Sequence, residues 1–418
     1  MKILHCADIH LGYETHGRLD PETGLNTRLL DFRRCFDVMV ERALAERVDL
    51  FLFCGDAYRT PDPTPTQQKL FAEALAPVAE AGIPIVMIVG NHDHPVSFGK
   101  ASSVDIFPHL RGDVHVFRRP DSARIETKAG PLQLIALPWP IRSVLLSKEV
   151  HRGKTPHEIR EHIEELYADF VTAAARELDP ALPAVVAAHL SIQGAELGGS
   201  ERASLIAHEP KLTVGQLAAP GVDYVALGHI HKFQDRNADA FARGEGPPVV
   251  YSSSIERISF KEHDAPKGFV LVDIEAGPGG KTTRFEFVET PARRFIPIEV
   301  DARETVDPTT VILNAIARHD IDDAVVRVRY RVTEKEAPLV DPQAIREALK
   351  TADTIAAVER AVDPVERQRR TTVRRETSLS DAIERYVDQH EQLAPLKSEL
   401  VAAALEIERE VDGVGTEA

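Results

Sequence analysis

Five apolar runs in this chain stop in the same way, and residues that can ligate a metal follow at once. Ile3-Leu4-His5-Cys6-Ala7 runs into Asp8-Ile9-His10, and Leu50-Phe51-Leu52-Phe53-Cys54 into Gly55-Asp56. Ile85-Val86-Met87-Ile88-Val89 leads to Gly90-Asn91-His92-Asp93, Val185-Val186-Ala187-Ala188 to His189, and Tyr224-Val225-Ala226-Leu227 to Gly228-His229-Ile230-His231. Short continuous apolar runs predict strands buried on both faces. Between them the spacing changes. Leu29, Phe32, Phe36, Val40 and Leu44 predict a helix over 26–46, with others over 66–81 and 157–178. This alternation predicts a layered α/β domain. Leu132–Leu137 reads as a further strand broken by Pro138-Trp139-Pro140. Residues 190–210, with Gly194, Gly198, Gly199 and Ser200, read as a loop near His189, and 248–289 as short strands and turns.

The pattern restarts after Thr290-Pro291. A strand at 295–300, a helix at 308–318, a strand at 324–332, a helix at 341–350 and a strand at 354–360 predict a small α+β unit. An Arg-rich linker follows at 363–377, with Arg367, Arg369, Arg370, Arg374 and Arg375. The tail, 378–418, holds two amphipathic helices divided by Pro395. Leu379, Ile383, Tyr386, Val387 and Leu393 form one stripe, and Leu396, Leu400, Ala404, Ile407 and Val411 the other. The expected organisation is a domain at 1–290, a cap at 291–362, the linker, and a helical hairpin at 378–418.

The length of 418 residues suits two to three domains, and 43% hydrophobic residues supply a core. No apolar run approaches the ~20 residues of a membrane span. The chain opens directly on a strand, so no signal peptide is expected. Three cysteines, Cys6, Cys35 and Cys54, read as core residues of a reducing cytoplasm. The net charge of −16 disfavours nucleic acid, whose phosphates need Lys and Arg. Yet residues 376–418 hold 11 acidic against 3 basic side chains, a net of −8, so half the excess sits in the tail.

The rim residues offer oxygen and imidazole but no thiolate, which suits manganese, iron or zinc. Asp8, His10, Asp56, Asn91, His189, His229 and His231 are too many donors for one tetrahedral ion and fit two, with Asp56 as the bridge. Two metals roughly 3.5–4 Å apart clamp the attacking and leaving oxygens of an in-line phosphoryl displacement. The competing reading, polar residues that merely cap a sheet, holds for any one of them taken alone. Two other patterns are rejected. His157 and His162 stand five apart and leave the shared helix face of a zinc-protease motif. Glu275–Thr282 resembles a phosphate loop, but Pro278-Gly279-Gly280 is turn chemistry.

Asp8-x-His10, Gly55-Asp56, Gly90-Asn91-His92-Asp93, His189 and Gly228-His229-Ile230-His231 resemble the calcineurin-like metallophosphoesterases in order and spacing. Ala7–Gly12, Leu227–Lys232 and Val250–Arg257 narrow the resemblance to the SbcD-type nuclease subunits of double-strand-break repair, over residues 1–275. The resemblance implies a layered αββα metallophosphoesterase sandwich with a small α+β cap domain and a C-terminal helical hairpin. It implies two Mn(II) ions, with Mg, Fe and Zn also compatible. One ion would take Asp8, His10, Asp56 and His231, the other Asp56, Asn91, His189 and His229. His92 would be the general acid, with Asp93 orienting its ring. Arg59 stands where relatives usually carry His, and a phosphate contact or a loop ion pair with Asp62 are both open to it. His16, Ser252 and Arg257 are further candidates to face DNA, with a turn closing the sheet as the alternative for Ser252 to Arg257.

The implied activity is 3′-to-5′ double-strand exonuclease and single-strand endonuclease work on DNA ends. The implied partners are DNA (duplex ends, single strands, hairpins) and an SbcC-type SMC-like ATPase gripped by the tail. A homodimer is also implied, through helices at 66–81 and about 98–110, with Leu70, Leu75, Phe107 and Leu110 as contacts or as core. Localisation would be cytoplasmic and nucleoid-associated. The rival readings are a phosphatase or cyclic-nucleotide phosphodiesterase on the same metal core, and a non-enzymatic DNA-end scaffold.

Overall fold

The computed structural model describes residues 1–94, 100–140, 154–201, 209–277, 280–363, 378–388 and 391–414. The apolar runs form strands β1 (Lys2–Cys6), β2 (Leu50–Phe53), β3 (Ile85–Ile88), β7 (Ala184–His189) and β10 (Tyr224–Gly228). They belong to two six-stranded sheets. The first has the order β14-β13-β1-β2-β3-β4, where β4 is Val114–Phe117, β13 Gly268–Gly277 and β14 Gly280–Glu289. The second runs β11-β12-β10-β7-β6-β5, where β5 is Asp121–Thr127, β6 Gly130–Leu137, β11 Gln234–Asp235 and β12 Val249–Tyr251. Strands β1 to β4 are parallel to one another, as are β6, β7, β10 and β12.

Alternate side chains of each run point to opposite faces, and both faces are buried. Ile3, Leu50, Leu52, Val86 and Ile88 meet Leu134, Val185, Ala187 and Ala226 between the sheets. Leu4, Phe51, Phe53 and Met87 pack outward on helices α1 (Thr27–Ala45) and α2 (Pro65–Glu80). Val186, Ala188, Val225 and Leu227 pack on α3 (Pro156–Arg176) through Ile163, Tyr167 and Val171. The result is four layers, αββα. Asn26 caps α1, and Thr64 and Thr155 form capping boxes followed by proline at the starts of α2 and α3.

Several expectations change. Residues 190–210 are not wholly loop, since β8 (Ser191–Ile192) pairs with β9 (Lys211–Leu212). The stretch 268–289 is a long antiparallel hairpin that extends the first sheet, with Gly277 opposite Gly280 as turn chemistry demands. No helix covers the described part of 98–110, which holds a turn and one 3-10 turn at Phe107–His109. Leu70, Leu75 and Phe107 are buried within the chain, and of the four dimer candidates Leu110 alone is exposed, beside Ile106.

The chain divides into two compact units, one comprising Met1–Val300, Ile312–Arg329 and Pro342–Glu359, the other Asp301–Val311, Tyr330–Asp341 and Arg360–Ala418. Beyond residue 290, β15 (Phe295–Asp301), β16 (Val325–Thr333) and β17 (Thr354–Asp363) form a three-stranded sheet, with helices α4 (Pro308–Ile316) and α5 (Pro342–Ala348) between them in sequence. In the tail, α6 (Leu379–Asp388) is capped by the Ser378 hydroxyl, which accepts from Asp381 N–H at 3.1 Å, and packs on α7 (Lys397–Val414). Pro395 lies in the 3-10 turn between them. The Arg-rich stretch of the linker, 364–377, lies outside the described residues.

Within the first unit a buried ion network ties α1 to the residues after 290. Arg293 forks onto Asp31 at 2.6 and 2.5 Å and reaches Asp323 at 2.6 Å. Arg28 donates to Asp31 at 2.6 Å and lies 3.4 Å from Glu256. Removing one partner of a buried pair strands the other charge. Asp31→Ala is therefore expected to cost about 3 kcal/mol in chemical denaturation, because it removes the carboxylate that both arginines share and leaves Arg28 with Glu256 and Arg293 with Asp323.

His5 is the one polar side chain inside the first apolar run. It is fully buried, with Nδ1 3.0 Å from the Tyr224 hydroxyl and Nε2 3.2 Å from the Leu227 carbonyl. Burial lowers its pKa from 6.5 to about 3, against the Leu227 hydrogen bond. Below pH 6.5 the unfolded chain takes a proton that the native chain refuses, so stability falls with falling pH. Relative to a His5→Leu variant, the parent should lose about 1.4 kcal/mol per pH unit on the way down from 6.5 toward 3, read from parallel denaturation curves.

Candidate metal centre

Strands from both sheets deliver their carboxyl ends to one rim. Asp8 and His10 follow β1, Asp56 follows β2, and Asn91 and His92 follow β3. His189 ends β7, and His229 and His231 follow β10. The chain must turn back sharply at each end. Asp8, His10, Asp56 and His229 all adopt positive φ, at 53°, 51°, 62° and 95°. Such backbone is uncommon for residues with a Cβ and clusters at functional sites. Two of the glycines that precede these turns are set by close approach. A Cβ on Gly90 would sit 2.1 Å from Asp56 Oδ1, and one on Gly228 2.1 Å from the Cys54 carbonyl.

The donor atoms converge. His10 Nε2 lies 2.9 Å from His231 Nε2, 3.6 Å from Asp56 Oδ2 and 3.9 Å from Asp8 Oδ1. His189 Nε2 lies 3.4 Å from Asp56 Oδ2 and 3.0 Å from Asn91 Oδ1, which is 3.1 Å from His229 Nδ1. Three donor groups share these residues: Asp8 with His10 and His231, His10 with Asp56 and His92, and Asp8 with Asp56 and His189. Two facing imidazole nitrogens with carboxylates at hand need a proton or a cation between them, and His10 Nδ1 is buried with no hydrogen-bond partner among the described residues. All-oxygen and imidazole donors around a doubly accessible carboxylate fit divalent metal ions. Asp8, His10 and Asp56 each contribute to two of the three groups, and Asp56 Oδ2 faces both His10 and His189.

The electrostatics agree. Burial opposes charge on His189, yet the charge of Asp56 and the hydrogen bond to it raise its pKa to about 9. His231 is likewise raised to about 9, against burial, chiefly by its hydrogen bond to Glu262. Burial would raise Asp56, but His189 and His10 hold it well below the usual range.

The remaining candidates divide. His92 is half-buried, with Nδ1 2.7 Å from the Arg59 carbonyl and its ring edge-on to His10 at 4.8 Å. Asp93 does not orient it. Asp93 is fully buried and accepts N–H bonds from Asp56, Ala57 and Gly90 at 2.8, 2.8 and 3.0 Å. Burial and the Asp56 charge raise its pKa to about 6, against those three bonds. Arg59 is exposed, its guanidinium 4.9 Å from the Tyr13 ring. His16 packs on Phe260 and Phe295 at 5.5 and 6.1 Å. Ser252 is fully buried and bonded to the backbone, so it faces no groove. Arg257 spends its guanidinium on the carbonyls of Glu262, Ala265, Ala292 and Arg293, which makes it a brace for the turn.

Several contacts escaped the sequence. Glu209 Oε2 lies 2.9 Å from His229 Nε2, and Glu262 Oε1 3.0 Å from His231 Nδ1. The single tryptophan, Trp139, has its ring 4.9 Å from His229. Each is far from its partner along the chain and carries no local periodicity. The one available signal was Trp139, placed between two prolines at a strand end.

The calcineurin-like phosphoesterase family matches residues 1–233. The chain is also 30% identical over 290 residues to the D subunit of the nuclease SbcCD from Bacillus subtilis, covering 66% of this chain and 67% of that one. Solved structures of a Thermus thermophilus protein and of a dimetal phosphatase from Danio rerio align at TM-scores of 0.34 and 0.39, with 10% and 11% identity. They cover 64% and 69% of this chain and 92% and 99% of theirs, and scores at that level do not bear on the assignment. Fold, rim and family match together define a metal-dependent phosphoesterase. The chain belongs to the calcineurin-like phosphoesterases, and within them to the SbcD-type group.

If Asp56 bridges, Asp56→Ala should lose all bound manganese, while the parent after loading carries about two ions per chain by plasma mass spectrometry. Uptake should release protons and weaken as pH falls, since His189 and His231 must first give up theirs. A parent that binds one ion or none speaks against a two-metal site.

Proposed function

We propose that the chain is a manganese-dependent DNA nuclease. It removes nucleotides from duplex ends in the 3′-to-5′ direction and cuts single strands internally, in concert with an SbcC-type ATPase. The observation that carries this reading is the convergence of Asp8, His10, Asp56, Asn91, His189, His229 and His231 on one rim, with His92 beside them. The likeness to a nuclease subunit spans 290 residues, more than the 233 of the phosphoesterase match. That extra length favours a nuclease over a small-molecule phosphatase.

Asp8, His10, Asp56 and His231 would hold one cation, and Asp56, Asn91, His189 and His229 the second. When bound, such cations supply Lewis-acid stabilisation of phosphate charge and lower the pKa of water. The chain's own residues do the rest. The Arg59 carbonyl accepts a hydrogen bond from His92 Nδ1–H and fixes the ring, so that in the imidazolium form Nε2–H is the acid for the departing sugar oxygen. The exposed Arg59 guanidinium is the candidate for a strand phosphate, since its fork matches phosphate oxygens. His16, packed on Phe260 and Phe295, is a further candidate to face DNA.

In this reading residues 291–362 cap the site and orient DNA, 363–377 tether, and 378–418 dock on the ATPase. Leu379, Tyr386 and Ile407 are exposed on the tail helices and suit a partner surface. Homodimerisation would rest on Leu110 and Ile106. The place of action would be the cytoplasm, at the nucleoid.

The test is manganese-dependent nucleotide release from linear duplex DNA, with bis-p-nitrophenyl phosphate run in parallel. Activity on the small ester alone would favour the phosphatase class. His92→Asn is expected to keep both metals and DNA binding while cutting ~10²–10⁴-fold more slowly. Loss of a metal from that variant would make His92 a ligand, a role its grouping with His10 and Asp56 keeps in view.

A further inference from the structure

The two histidines of His229-Ile230-His231 face the rim through different nitrogens. His229 offers Nδ1 to the Asn91 side and gives Nε2 to Glu209. His231 offers Nε2 to the His10 side and gives Nδ1 to Glu262. A carboxylate on one ring nitrogen fixes the proton there and frees the lone pair of the other for a metal.

The two carboxylates are anchored to different degrees. Glu209 is partly exposed, and its second partner is the Ser191 hydroxyl at 3.0 Å. Glu262 is fully buried and saturated. Its Oε2 accepts from Lys267 Nζ at 3.0 Å and from Ile258 N–H at 3.0 Å, while Oε1 takes His231 and the Ser200 hydroxyl. Lys267 is buried too, and its ammonium also donates to the His231 carbonyl at 3.0 Å and to the Ser254 hydroxyl at 2.9 Å. Lys267 therefore grips both the backbone of His231 and the carboxylate that orients its ring. The ligand sets differ in charge as well: the His231 side has Asp8 and a share of Asp56, and the His229 side has neutral Asn91 and a share of Asp56.

We propose that Glu262, locked by Lys267, is the positioning residue that fixes His231, and that this anchoring makes the Asp8–His10–Asp56–His231 position the tighter of two unequal metal positions. The proposal rests on the metallophosphoesterase reading of the rim. It makes a specific demand of Glu262→Gln. The Oε2 side meets two donors, an ammonium and an N–H, so the amide keeps its oxygen there. Its NH₂ then turns to His231, Nδ1 becomes an acceptor, and the ring proton moves to Nε2, the nitrogen that faces the rim.

The test is Mn²⁺ titration of the chelator-stripped full chain, followed by the electron paramagnetic resonance of free Mn²⁺. The parent is expected to show two affinity classes. Glu262→Gln should weaken the tighter class by ~10–100-fold and spare the weaker, and Glu209→Gln should do the reverse. Because Glu262→Gln strands a buried Lys267, the pair Glu262→Leu/Lys267→Met removes the acceptor without an unpaired charge and should show the same loss. A parent with two classes whose tighter class survives both Glu262 variants overturns the proposal. So does equal loss of both classes, which would mark a general structural role. A parent that binds no Mn²⁺ overturns the reading of the rim itself.

Discussion

Three backbone N–H groups converge on the buried Asp93 carboxylate, and the geometry of the rim follows from that. Two come from the loop after β2 and one from the loop after β3. A buried carboxylate tolerates its desolvation only when it is well hydrogen-bonded, so the three bonds hold both loops in register. Asp56 is thereby held where its own Oδ1 accepts the His92 N–H at 2.8 Å and its Oδ2 faces His10 and His189. The left-handed backbone at Asp56 persists because Asp93 holds the flanking amides. Asp93 acts through the backbone, which a motif reading that treats Asn-His-Asp as three side chains in one reaction does not anticipate.

A rim held this way concentrates charge. Asp8, Asp56, His10, His189 and His231 are all buried, in a volume where neither all the carboxylates nor all the imidazoles can be charged alone. Burial pushes the pKa of His10 down, while Asp56 beside His189 and Glu262 beside His231 push those two up. The convergence of carboxylate and imidazole donors, with the family match, marks the rim as a metal centre. Around it, Glu209, Glu262 and Lys267 set which nitrogen each histidine presents.

The strands that carry the rim were legible because they are buried on both faces, so their apolar runs are continuous. β14 was read only loosely, as one of several short strands. It is an outer strand whose alternation of exposed and half-buried positions gives a weak signal, and its ten-residue pairing with β13 is a tertiary fact. The helix expected at about 98–110 rests on the family resemblance and not on local periodicity, and packing of Phe107 into the core beneath α2 leaves one 3-10 turn in its described part. Ser252 and Arg257 looked like groove residues because they follow a strand end, and that position does not reveal whether a side chain turns outward or into the turn it closes.

The sequence by itself determined the layered α/β plan and the seven donor-type residues at strand ends, because each depends on local periodicity or on residue type at a strand end. Tertiary structure decided what joins residues far apart in the chain. Asp93 serves as a backbone clamp, Arg257 as a brace, and Glu262 reaches His231 across 31 positions. Such contacts depend on how two sheets stack and where the β12-to-β13 turn lands on the rim. No residue's neighbours in sequence encode that, since hydrogen bonds between distant side chains leave no period to read.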